Sequence, residues 1–128
     1  MNYLLDSHAF LWFLSGDPRL SINAKSIIED LENNCFLSTA SIWEMAIKTK
    51  IGKLNPGFAF NEIESLLRLL DIKLLDLKPS HISKLFELDF LHNDPFDRML
   101  ICQAYVEDLA LITSDKNIST HTLIKTLW

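Results

Sequence analysis

Hydrophobic positions along the chain alternate between short apolar runs and stretches with helical spacing. Asn2 to Leu5 is a short strand-like run that stops at Asp6, and Ser7 to Ser15 continues as a helix with Phe10, Leu11, Phe13 and Leu14 on its apolar side. Gly16-Asp17-Pro18 closes that helix. Ser21 caps the next, whose periodic residues Ile22, Ile27, Ile28 and Leu31 run to Asn33-Asn34. Cys35 to Leu37 predicts a second strand. Ser38-Thr39 or Ser41 then caps a helix holding Ile42, Trp43, Met45, Ala46 and Ile47, which ends near Gly52 before a turn at Asn55-Pro56-Gly57.

From Asn61 the residues Ile63, Leu66, Leu67 and Leu70 give another helical stripe, leading into a third strand, IKLLDL. Pro79-Ser80 opens a helix that runs through Leu88. Asn93-Asp94-Pro95 is a strong helix start, because Asp94 can accept free amide hydrogens and Pro95 suits the first helical position. That helix carries Met99, Leu100, Ala104 and Val106. Ala110 to Thr113 reads as a fourth strand and Ile124 to Trp128 as a short edge strand. Strands separated by helices predict an α/β fold of three layers, with a central, mostly parallel sheet of four to five strands flanked by helices. Residues 1–128 are expected to form a single domain, since 128 residues at 48% apolar composition supply one adequate core and leave no room for two.

Charge and cysteine usage narrow the setting. Cys35 and Cys102 lie inside apolar stretches without metal-ligand spacing, so they read as small buried hydrophobes of a reducing compartment, and a cytoplasmic location is expected. No apolar stretch approaches the ~18 residues of a membrane span. A net charge of −5 argues against holding nucleic acid through a broad basic surface, and it suits a basic protein partner. It does not exclude a nuclease, because acids that bind cations make the working face far less negative than the residue count implies.

Four acids stand where strand gives way to helix or in a helix's opening turns: Asp6 in YLLDSHAF, Glu44 in SIWEM, Asp97 in HNDPFDRML and Asp115 in LITSDKN. Ligands of parallel α/β sheets bind beyond the carboxyl ends of the strands, where Asp6 and Asp115 fall and toward which Glu44 and Asp97 can point. Four carboxylates gathered there repel one another and call for a cation. An all-oxygen donor set without His or Cys suits a hard divalent ion, Mg²⁺ or Mn²⁺, rather than zinc. Such ions serve phosphodiester hydrolysis. Each acid alone also has a structural role open to it: Asp6 as a helix cap, Asp97 completing a capping box with Asp94, Asp115 opening a turn, and Glu44 as a solvated helix residue. The set of four is what favours a site.

The segments YLLDSHAFLWFLSGDPRLS, STASIWEMAIKTKIGKL, HNDPFDRMLICQA and LITSDKNI resemble, in order and spacing, the successive motifs of PIN-domain nucleases, in particular the VapC-like toxins of bacterial type II toxin–antitoxin modules. The resemblance implies a Mg²⁺- or Mn²⁺-dependent endoribonuclease whose catalytic and metal-binding acids match Asp6, Glu44, Asp97 and Asp115. It also implies an RNA substrate, a cognate antitoxin that silences the chain, and a homodimer. Ser7 stands where the family usually has Thr and keeps the hydroxyl, and Thr113 is a second supporting residue. Asp94 is expected to be a helix cap outside the ligand set.

Lys48 and Arg98 are candidate contacts to RNA phosphates; Lys50 and Lys53 read more simply as solvated helix charges. Arg98 can equally pair with a site carboxylate. His8, His81, His92 and His121 lack metal-ligand spacing and are expected at the surface or as caps, His8 being the one beside the site. Phe10, Trp12 and Phe13 leave few polar faces on the first helix; most of them read as core packing, and any aromatic side left uncovered would meet a partner, while Trp43 is expected in the core. Two other classes remain: a catalytically weak PIN-like regulatory or RNA-binding module, and a phosphatase forming an aspartyl-phosphate. The second normally needs two acids two residues apart, and Asp6 is followed by Ser7-His8.

Overall fold

The computed structural model of the chain describes residues 1–89, 94–119 and 123–128. Five strands form one sheet: β1 (Asn2–Leu5), β2 (Asn34–Ser38), β3 (Ile72–Leu75), β4 (Ala110–Ile112) and β5 (Thr126–Leu127). Their order is β3-β2-β1-β4-β5, and every pairing is parallel. The helices are α1 (Ser7–Ser15), α2 (Ile22–Glu29), α3 (Thr39–Lys50), α4 (Ile63–Leu69), α5 (Pro79–Glu87), α6 (Pro95–Val106) and α7 (Lys116–Ser119).

Alternation along the strands divides the apolar residues between two faces, which gives the three-layer α/β architecture its two cores. Tyr3, Leu5, Cys35, Leu37, Ile72, Ala110 and Ile112 pack with Phe10 of α1, Ala24 and Ile28 of α2, Met45 of α3 and Leu67 of α4. Leu4, Leu75 and Leu111 face the other way, onto Leu100, Ile101 and Ala104 of α6 and Ile118 of α7. Leu4 and Leu111 have no exposed surface, so truncating either to Ala would cost ~2–5 kcal/mol.

Helix α5 is joined to α6 by apolar contacts of Leu85 and Leu88 with the cluster of Met99 and Cys102, and by a buried polar pin. His81 is fully buried; its Nδ1 accepts the Lys78 N–H at 3.0 Å, which leaves Nε2 to donate to Glu107 Oε2 at 3.0 Å. Of the surface or capping roles expected for this histidine, it fills the cap and is not at the surface. His81 in turn holds the Glu107 carboxyl below its ordinary range.

Several expectations need correction. Trp43 is 62% exposed rather than core, because the face of α3 turned inward is Ala40, Ser41, Glu44 and Met45, and Trp43 lies about a third of a turn off it. Ile22 and Leu31 are exposed too; α2 stops at Glu29, and its buried residues are Ala24 and Ile28. The third strand ends at Leu75 rather than Leu77, and the short α7 follows Asp115, whose Oδ1 accepts the Asn117 N–H at 2.9 Å. Asn93, His92 and His121 lie outside the described residues.

Candidate active site

The parallel topology sends every strand's carboxyl end to one edge of the sheet, so the helices that follow β1 and β2 begin there. Asp6 directly follows β1: its N–H donates to Ile112 O of β4 at 3.1 Å, and its Oδ1 caps α1 by accepting the Ala9 N–H at 2.7 Å. Ser38 ends β2 and caps α3 through the Ala40 N–H, which sets the phase that turns Glu44 inward one turn later. Asp94 caps α6, accepting from the N–H groups of Phe96 and Asp97 at 2.9 and 3.3 Å, and so places Asp97 in that helix's first turn. Thr113 follows β4; its Oγ1 accepts the Asp115 N–H at 3.0 Å and sets the turn that presents Asp115.

These four segments converge. Asp6, Glu44, Asp97 and Asp115 line one cavity of about 70 Å³ together with Ser7, His8 and Lys48. Asp6 and Glu44 are buried, Asp97 and Asp115 partly so. Ser7 Oγ donates to Glu44 Oε1 at 2.9 Å, and Lys48 Nζ donates to Glu44 Oε2 at 3.1 Å. The hydroxyl at position 7 thus orients a cavity carboxylate. Thr113 is buried, and its hydroxyl favours the ionised form of Asp6. Arg98 is half-buried and does not line the cavity. Lys50 and Lys53 are exposed outside it.

The charge balance is unfavourable to four ionised acids. Burial pushes the Asp97 carboxyl up to about 7, and the neighbouring charges of Asp94, Asp115, Glu44 and Asp6 push in the same direction. Burial also raises Asp6, against the pull of the Thr113 hydroxyl, the Ala9 N–H and His8. Desolvation wins at both positions. Among the described residues, no three His, Cys, Asp or Glu side chains already stand as an ion's ligand set. The four carboxylates that line the cavity are nonetheless oxygen donors of the kind hard divalent ions prefer, and the raised proton affinity of Asp6 and Asp97 fits a site short of positive charge.

His8 is the cavity-lining residue to which the sequence assigned no task. Its signal was its place two residues after Asp6, on the exposed side of α1. The structural role considered for Asp6 also holds, since it caps α1 and lines the cavity at once.

Fold and cavity together define an α/β protein with an acid-lined site beyond the carboxyl ends of a parallel sheet. The model of the PIN domain family matches residues 3–122, and the chain belongs to that family. It is similar to the ribonuclease VapC16 of Mycobacterium tuberculosis, with 44% identity over 43 residues, a match spanning 30% of this chain and 30% of that protein. Among solved structures, it resembles VapBC2 of Rickettsia felis bound to a promoter DNA fragment, with a TM-score of 0.72, 14% identity, and coverage of 99% of this chain and 98% of the other. VapBC-1 of nontypeable Haemophilus influenzae gives a TM-score of 0.70 at 19% identity, over 99% and 97% of the two chains. A toxin–antitoxin complex from Klebsiella pneumoniae gives 0.62 at 18%, over 95% and 94%.

Proposed function

We propose that the chain is an endoribonuclease toxin that hydrolyses RNA phosphodiester bonds with Mg²⁺ or Mn²⁺ and is neutralised by a cognate antitoxin. The observation that carries this reading is the arrival of Asp6, Glu44, Asp97 and Asp115, from four distant segments, on one small cavity. In this reading the four carboxylates hold the cation. When bound, a divalent ion polarises the phosphate and lowers the pKa of water. Ser7 fixes one oxygen of Glu44. Lys48, whose ammonium reaches Glu44 from the cavity wall, is placed to swing toward a phosphate oxygen once the carboxylate is otherwise neutralised. Arg98, half-buried and next in sequence to Asp97, is a second candidate contact to an RNA phosphate. Hydrolysis adds the hydroxyl of water to phosphorus and its proton to the departing ribose oxygen, so no side chain need become covalently attached.

The partners follow from similarity and surface. The toxin–antitoxin complex among the similar structures supports an antitoxin for this chain. Trp43, Ile47 and Ile51 form an exposed stripe along α3 and its end, and Ile82 and Phe86 an exposed pair on α5, which suits the face of a homodimer better than the first helix does. A weaker binding module is the second reading. The ion pair of Lys48 with Glu44 favours it, since an ammonium already neutralises one of the four acids.

The test is cleavage of a mixed pool of single-stranded RNAs by antitoxin-free protein with Mg²⁺, Mn²⁺ or EDTA, with Asp6→Asn as contamination control. Metal-dependent cutting that is absent from the variant supports the nuclease. Retention of RNA without cutting under either metal supports the binding module.

A further inference from the structure

We infer that His8, Trp12 and Arg19 form a stacking platform for a nucleobase of single-stranded RNA at the mouth of the acidic cavity. The inference rests on the nuclease reading and names a base-binding subsite of that same site.

Among the residues lining the cavity, His8 is the exposed one. Its ring lies on the Trp12 indole with centroids 5.3 Å apart and planes 27° from parallel, as the four-residue spacing on α1 permits. The Arg19 guanidinium sits 4.8 Å from the centre of the same indole. Asp17 fixes that guanidinium through Arg19 Nη2 at 2.7 Å and Nε at 3.1 and 3.2 Å. Trp128 meets Trp12 edge-on at 5.8 Å. The indole is therefore held by three neighbours, and His8 rests on a fixed support.

A flat ring held in place at the rim of a hydrolytic cavity has a specific use. Bases of single-stranded RNA are unstacked and stack on aromatic rings or on guanidinium planes, without requiring a particular sequence. Holding the ring beforehand removes part of the ordering cost of binding. A phosphate drawn to the carboxylates and their cation brings its own nucleotide's base to the cavity rim, where His8 lies. Neither His8 nor Arg19 is spent on the core, since the buried residues of α1 are Ala9 and Phe10 and Arg19 is mostly exposed. Trp12 also lines a groove with Phe13, Leu20, Ile22, Asp17 and Lys25. His8 instead lines the cavity of the carboxylates, which favours RNA there.

The experiment measures initial cleavage rates of a mixed pool of short single-stranded RNAs with Mn²⁺ for the full chain, His8→Ala and His8→Phe. His8→Ala should raise KM roughly 10-fold while kcat falls far less, as loss of one stacking contact requires. His8→Phe, which keeps a flat ring but no ring nitrogen, should restore KM to within about threefold of the parent. Unchanged KM in His8→Ala overturns the platform and leaves the nuclease standing. Equal losses in both variants also overturn it, since they assign His8 a role through its nitrogens. Undiminished cleavage together with escape from antitoxin neutralisation would give this surface to the protein partner instead. No cleavage by the parent chain under any metal overturns the nuclease reading and the platform with it.

Discussion

The two edges of the parallel sheet carry opposite chemistry. At the amino end, Asn34 Nδ2 donates to Asn2 Oδ1 at 2.9 Å and Lys73 Nζ donates to Asn34 Oδ1 at 3.0 Å, a local clamp of paired polar groups. A cavity of about 430 Å³ lies at that end, lined by Met1, Asn2, Leu109, Leu123 and other residues of mixed character. At the carboxyl end the cavity is only about 70 Å³, yet four acids line it. Size and charge therefore single out different edges, and the proposed site lies at the small, acid-lined one. The topology explains the asymmetry. Helices that follow parallel strands present their N-termini, with free N–H groups and the positive end of the dipole, at the carboxyl edge. Asp6 and Asp94 are each held by such N–H groups, which offsets part of the cost of crowding acids together.

Substitutions at the two edges should separate function from stability. The largest effect is expected of Asp97→Asn, which should lower RNA cleavage by at least ~100-fold because it removes a ligand charge at constant size. The same variant should melt higher than the parent when cations are absent and the pH is near 8, because it relieves repulsion. A differential scan of both proteins in EDTA reads this directly, and a lower melting temperature for Asp97→Asn would contradict it.

The cation-free parent should also lose stability as pH rises. A carboxyl with a folded pKa of about 7, against an ordinary value of 3.8, binds its proton more tightly in the folded chain. Its contribution is fully present below about pH 4, declines as pH rises toward 7, and is gone above that. Melting temperature in EDTA should therefore fall by a few degrees between about pH 5 and pH 8, and Mn²⁺ at pH 8 should restore it. A flat profile would mean that neither burial nor the neighbouring acids raise the Asp97 carboxyl in the folded chain.

Smaller effects should follow from the basic residues and from the amino edge. Lys48→Met should weaken RNA binding several-fold and reduce the salt slope by about one charge, as read by binding across a salt series. Asn34→Ala should cost ~1 kcal/mol in denaturant unfolding and leave cleavage unchanged. Lys50→Ala, at an exposed position outside the cavity, should change cleavage less than about twofold; a large loss would extend the substrate path along α3.

The carboxyl edge was more legible in the sequence than the outer surface. Asp6 and Asp115 betray themselves by following apolar runs, and Asp94-Pro95 fixes the start of α6, hence the place of Asp97 in its first turn. Strand and helix boundaries fell within a few residues, because the apolar periods change where the elements change. Helical periodicity, however, does not say which of two apolar stripes meets the sheet. On α3 the stripe of Trp43, Ile47 and Ile51 lost to that of Ala40, Glu44 and Met45, since a buried acid reads as polar in any pattern. Ile22 and Leu31 were misplaced for a related reason: α2 buries only Ala24 and Ile28, and its ends project into solvent. The His81 pin was visible only as a capping position after Pro79, because its partners Gln103 and Glu107 are more than twenty residues away.

Titration of Mn²⁺ into the parent chain and into Asp6→Asn, Glu44→Gln, Asp97→Asn and Asp115→Asn, followed by calorimetry, tests most directly whether the four acids act as one cation site. The parent should bind saturably, and each variant should lose ~10-fold or more in affinity. Binding by every variant as tightly as by the parent, or no binding by the parent at neutral pH, would contradict it.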